Sequence, residues 1–193
     1  KKNRKTWITV IIIVVIGLFL YSSAKGTYNG MVQKRENVVK MWADVENQYQ
    51  RRSDLIPNLV NTVKGYAAHE QETFTAVIEA RSKATGVNIN PDQLTPESLQ
   101  QFQSAQSGLS SALSRLLVVV ERYPDLKANE NFKELQKQLE GTENRIATER
   151  RKFNEATRTY NTFIMMFPRN IWAGIFNFDE KPSFEAAEGS ETA

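Results

Sequence analysis

The 193-residue chain contains no cysteine and a single histidine, His69. Without thiols there is no disulfide, no thiolate nucleophile and no cysteine-ligated zinc. One imidazole likewise excludes metal sites built on several histidines, although carboxylate sites stay open. The lack of disulfides fits every redox compartment and selects none. Acidic side chains are missing from the first 25 residues, which carry Lys1, Lys2, Arg4, Lys5 and Lys25. The whole chain has 25 basic and 22 acidic residues and a net charge of +3; setting those five cations aside leaves 20 against 22. The basicity therefore belongs to the N-terminal flank. A nucleic-acid reader concentrates positive charge on its folded surface, so that class is excluded. Glycine-rich phosphate loops, paired-glycine nucleotide turns and acidic metal clusters are also missing.

What is present begins with an apolar run. Residues 7–21 read WITVIIIVVIGLFLY, and extension through Ala24 gives roughly 27 Å of helix, enough to cross a bilayer's hydrocarbon core. Trp7, Ile11, Val15, Leu18 and Tyr21 are the expected anchor residues, with the two aromatics at the interfaces. A cleaved signal peptide, with Ser22-x-Ala24 as its cleavage site, and a buried soluble helix are the competing readings. The basic start favours a cytoplasmic N-terminus and an extracytoplasmic domain, yet Lys25, Lys34, Arg35 and Lys40 on the other side weaken the asymmetry.

From Gly26 onward apolar residues recur at alternating steps of three and four. A first helix carries Tyr28, Met31, Arg35, Val38, Trp42, Val45 and Tyr49. It is expected to end near Arg51-Arg52-Ser53-Asp54, where Ser53 or Asp54 can cap a second helix and Pro57 falls in its first turn. The alternative is one long rod kinked at Pro57; the break is preferred. The second helix carries Ile56, Val63, Phe74 and Val77 and ends at Gly86. After a loop at Val87–Pro96, a third runs through Leu99, Phe102, Gln106, Leu109 and Leu116 to Pro124. The fourth runs from Phe132 through Ile146, Phe153 and Tyr160 to Phe167. The Gln/Ser-rich run at Ser98–Ser114 keeps this rhythm and reads as an outer helix face. The expected fold is all-α: a transmembrane helix followed by an antiparallel four-helix bundle of long heptad-patterned, coiled-coil-like helices. Its parts are a basic flank and anchor (1–25), the bundle (26–167), an aromatic membrane-proximal segment (168–185) and a disordered acidic tail (186–193).

These residues resemble the LemA family. The likeness is densest at Tyr28-Asn29, at RRSDLIPNLVNTVKGYAAHEQETF (Arg51–Phe74), at YNTFIMMFPRNIWAGIFNF (Tyr160–Phe178) and at Phe184-Glu185. The resemblance implies a membrane-anchored, bundle-type bacterial protein and brings no activity that can be carried onto residues.

Chemistry is hard to find. His69, flanked by Glu70 and Glu72, could act as a general base, but it reads better as a histidine on a charged helix face, with neither Ser53 nor Thr73 in useful geometry. Arg35, Glu70, Gln106, Thr142 and Glu149 occupy apolar seam positions, either at the edge of the core or as pairs that fix register. A turn near Ser53 would set Arg35 against Glu70 as an ion pair. After Pro168, the dense apolar stretch containing Trp172, Phe176 and Phe178 either caps the bundle or touches the bilayer or a partner. The functional expectation is a non-enzymatic scaffold or interaction protein, single-pass in the cytoplasmic membrane of a bacterium. It has no cofactor, and its partners are the lipid bilayer, further copies of itself and an unidentified membrane or envelope protein. The alternative is a membrane-tethered sensor that binds a ligand or protein through the bundle.

Overall fold

A computed structural model describes residues 2–185 of the chain; the expected acidic tail at 186–193 lies outside the described residues. Among the described residues there are six α-helices and no strand: α1 (Lys2–Lys64), α2 (Gln71–Gly86), α3 (Pro96–Val120), α4 (Pro124–Ala128), α5 (Glu130–Met165) and α6 (Arg169–Phe176). A short 3-10 turn, Pro91–Gln93, sits in the loop before α3. The expected loop and the stop at Gly86 are where the sequence put them; α3, however, ends at Val120, and Pro124, expected to stop it, instead opens α4. Thr95 caps α3 in a reciprocal box with Ser98, and Asn129 caps α5 by accepting from the Phe132 N–H.

The four-helix expectation fails at its first junction. There is no break at Ser53: α1 is a single helix through Pro57, and the chain turns only at Gly65–Glu70. Proline removes one ladder bond and leaves the carbonyl four residues earlier without its donor. That carbonyl belongs to Ser53, which is buried, and it accepts instead from Arg81 Nε on α2 at 2.9 Å. A side chain from another helix thus replaces the bond the proline cannot make. Arg81→Ala should cost about 1–3 kcal/mol, the penalty for an unsatisfied buried acceptor. In a Pro57→Ala background the cost should shrink, because residue 57 can then donate to Ser53 itself. Urea unfolding of the four chains in detergent measures the coupling; equal losses from Arg81→Ala in both backgrounds would refute this account.

The continuous helix also removes the expected Arg35–Glu70 pair. Roughly 44 Å of helix separates Arg35 from the end of α1, beyond which Glu70 lies. Arg35 pairs with neighbouring Glu36 at 3.5 Å and lies over the Phe178 ring, whereas Glu70 accepts from Arg122 at 3.0 Å and from the Tyr123 hydroxyl at 3.2 Å.

Two antiparallel pairings organise the helices. α5 runs back along α1, so that Phe163 meets Gly30 and Glu143 meets Arg52. α3 runs back along α2, so that Gln106 reaches the Ala84 carbonyl and Arg122 reaches Glu70. The core falls into two apolar clusters. One holds Met31, Val38, Trp42, Val45 and Tyr49 with Phe102, Phe153, Tyr160, Phe178 and Phe184. The other, farther from the N-terminus of α1, holds Ile56 and Val63 with Phe74, Val77, Leu109, Leu116, Phe132 and Leu139. The residues of the apolar run before Ser22 are exposed, Trp7 at 69 %, Ile11 at 57 %, Val15 at 58 %, Leu18 at 64 % and Tyr21 at 67 % among them. A buried soluble helix is therefore excluded, since the chain itself covers none of this surface.

Candidate membrane-proximal interaction site

Because α5 is antiparallel to α1, its C-terminal end arrives where α1 leaves the folded body. The first residues of the apolar segment to be part-covered are Ser23 and Ala24. A little farther on, α1 carries Gly30, where a Cβ would lie 2.7 Å from the Phe163 ring. Glycine at this position permits the close approach, and the ring is flanked by two cations, Lys34 at 5.1 Å and Arg169 at 4.2 Å from its centroid. A cis peptide bond joins Phe167 to Pro168, and α6 then packs against α1 and α5.

Trp172, Phe176 and Phe178, the three residues expected to touch membrane or partner, sit on the inner side of this cap. Phe178 is buried in the core, and Trp172 and Phe176 are half-buried and packed against it. Tyr28 meets the Phe176 and Phe178 rings edge-on at 5.1 and 5.6 Å, and Trp172 stacks on Phe176 at 6.0 Å. For Phe178 the expectation is corrected: it fills the end of the core, because Asn177, at φ 55°, reverses the chain and turns the following residue inward. The exposed apolar side chains are different ones. Met166 at 53 %, Phe167 at 80 %, Ile171 at 52 % and Ile175 at 59 % face outward.

Beyond Phe178 the chain runs extended along α5, held by two asparagines one heptad apart. Asn161 accepts from the Lys181 N–H and donates to its carbonyl, at 2.9 and 2.8 Å. Asn154 does the same for Phe184, at 2.9 and 3.0 Å. Seven residues of helix and three of extended chain both advance roughly 10 Å, so the two clamps stay in step. Phe184 is thereby pressed onto Trp42, stacked at 5.9 Å, and edge-on to Phe153 at 5.4 Å. Tyr160 donates to the Asp179 carbonyl at 3.0 Å. Burial pushes its hydroxyl above the usual phenol range, against the nearby Arg35 charge. Burial also lowers the Lys181 ammonium, which donates to the Asp92 carbonyl at 2.6 Å.

A polar layer separates the two apolar clusters. Arg52, 1 % exposed, donates to Ser110 Oγ at 2.9 Å, Glu143 Oε1 at 2.8 Å and Gln106 Oε1 at 2.6 Å. Gln106 passes the connection on to the Ala84 carbonyl. One guanidinium therefore ties α1 to α3 and α5, and through Gln106 to α2. Of the polar seam residues, Gln106 and Thr142 are buried in or beside this layer, whereas Glu149 makes a local pair with Lys152. Tyr49, next to Arg52, has its hydroxyl pushed up by burial, opposed by Arg150 and Arg52. His69 lies exposed in the turn between α1 and α2 rather than on a helix. Among the described residues no group of three or more His, Cys, Asp or Glu is placed to hold a metal ion.

The sequence profile of the LemA family matches residues 41–193. The chain belongs to the LemA family. Protein LemA of Metamycoplasma hominis is 24 % identical over 185 residues, covering 96 % of this chain and 80 % of that one. Magnetosome proteins MamQ 1 and MamQ 2 of Paramagnetospirillum magneticum are each 29 % identical over 184 residues, covering 86 % of this chain and 67 % of theirs. The sequence blocks that carry the LemA resemblance are now legible as structure. Arg51–Phe74 contains the Arg52 hub, the repaired proline and the turn; Tyr160–Phe178 contains the Asn161 clamp and the capping helix. Sequence reasoning missed Arg52, Asn154 and Asn161. Arg52 did give a signal, since it continues the three-four rhythm from Val45 and Tyr49 to Ile56. The asparagines gave none, because their partners are backbone atoms.

Proposed function

We propose that this LemA-family protein is a non-enzymatic helical scaffold, anchored by a single pass in the cytoplasmic membrane of a bacterium, self-associating there, with its folded part outside the cytoplasm. One observation carries this reading. The apolar segment and the first helix of the folded part are a single uninterrupted helix, Lys2–Lys64, roughly 95 Å long. Such a rod couples the bilayer rigidly to the body that stands on it, which suits a protein that presents surfaces at a set distance from a membrane. The arrangement of α2, α3 and α5 along α1 supports a bundle-like body, and its outer helix faces are the surfaces offered to other copies or to an envelope protein. A sensor holding a ligand between helices gains less support: Trp42, Phe102 and Phe153, the large seam aromatics, pack on one another at 5.3 and 5.6 Å instead of lining a cavity.

Two measurements test the proposal. Intact mass of the chain extracted from membranes should include residues 1–24; a species beginning at Lys25 would refute the anchor. Cross-linking in native membranes, followed by native mass spectrometry in nanodiscs, should give discrete oligomers. Monomer alone at every protein-to-lipid ratio would refute self-association.

A further inference from the structure

The capping helix α6 is apolar on both sides. Its inner stripe, Trp172, Ala173 and Phe176, packs on the core, and its outer stripe, Ile171 and Ile175, stands in the open with Phe167 and Met166 beside it. Arg169 and Asn170 are the only polar side chains of α6, and the chain itself leaves Ile171 and Ile175 uncovered on its outer side. Position along α1 identifies the occupant. From Gly30 back to Ala24 is roughly 9 Å of helix, and from Phe163 forward to Met165, where α5 ends, is roughly 3 Å in the same direction. Since Phe163 rests on Gly30, α5 ends roughly 6 Å short of the level at which the apolar run of α1 ends, and the exposed Phe167 follows two residues later. The exposed stripe lies on the side of the folded body from which the anchor leaves, where Lys34 and Arg169 flank the Phe163 ring.

We propose that Phe167, Ile171 and Ile175 form a foot that is inserted into the interfacial region of the same bilayer that α1 crosses. This rests on the anchor reading above. The foot makes α6 an interfacial helix and adds a second point of attachment beside the anchor. A rod that only spans the bilayer can still tilt and rotate as one unit; a second attachment restricts both. The core-facing aromatics and the lipid-facing residues then have separate duties: Trp172, Phe176 and Phe178 join α6 to the body, and Ile171 and Ile175 join it to the bilayer.

The missing cysteines make the test direct. The full chain carrying a single Phe167→Cys, Ile171→Cys or Ile175→Cys substitution is spin-labelled and reconstituted in anionic phospholipid nanodiscs. Collisions of the label with oxygen, which partitions into hydrocarbon, are compared with collisions with a water-soluble nickel chelate. Val15→Cys in the anchor and Val118→Cys, an exposed site on α3, serve as references. Labels at 167, 171 and 175 should favour oxygen several-fold over the label at 118 and lie on the Val15 side of it. Labels as open to nickel as that at 118 would overturn the foot while a lipid-exposed Val15 leaves the anchor standing. Labels shielded from both reagents would mean that a protein surface covers the stripe, which also overturns the proposal. A water-exposed Val15 label would overturn the anchor reading and the foot with it.

Discussion

Arg52→Ala should lower the stability of the full chain by about 3–5 kcal/mol, the range for breaking a buried charged network from one side. The guanidinium is 1 % exposed and bonded to three side chains on two other helices. Truncation leaves Gln106, itself buried, without its strongest partner, and opens a void where the arginine stem packed between the two clusters. Glu143, whose side chain is 43 % exposed, can rehydrate, so it contributes the smaller part. Arg52→Met keeps most of the volume and should cost about half as much or less. Urea unfolding in detergent separates the outcomes. A loss below about 1 kcal/mol for Arg52→Ala would refute the hub, being no more than an ordinary surface change. Stability of the Met variant equal to the parent would mean that Arg52 only fills space.

Phe184→Ala should be about as damaging, costing about 3–5 kcal/mol, although the residue belongs to no helix. Its ring is 4 % exposed, stacked on Trp42 and edge-on to Phe153, and Arg150 lies over its other face at 4.5 Å. Removing it empties the socket that Asn154 positions and frees the extended segment from α5. Ile171→Ala and Ile175→Ala, by contrast, should each change stability by less than about 0.5 kcal/mol in detergent, because both side chains stand exposed. Thermal unfolding followed by circular dichroism compares the three. A large loss at Ile171 or Ile175 with little at Phe184 would reverse the assignment of core and contact surface.

The long-range consequences of one misplaced turn are instructive. With a turn at Ser53, Arg35 and Glu70 face each other; with the turn at Gly65–Glu70, Ser53 faces Arg81 instead. The sequence held a warning in its periodicity, since Trp42, Val45, Tyr49, Arg52, Ile56, Leu59 and Val63 step without interruption across the supposed break. An arginine in the stripe and a proline just after it made that run look ended. Both exceptions depend on groups far away in sequence: Arg52 is tolerable because Gln106, Ser110 and Glu143 converge on it, and Pro57 because Arg81 reaches the carbonyl it orphans.

Local patterning determined the helical class, the apolar N-terminal segment, the loop before α3 and most core positions. Those features depend on hydrophobic spacing and on where it is interrupted, both of which are short-range. Tertiary structure alone decided the length of α1, the partners of the buried polar groups and which face of α6 is free. An amphipathic or wholly apolar stripe says that a surface must be covered; the antiparallel return of α5 and the reversal at Asn177 select which side chains the protein covers itself.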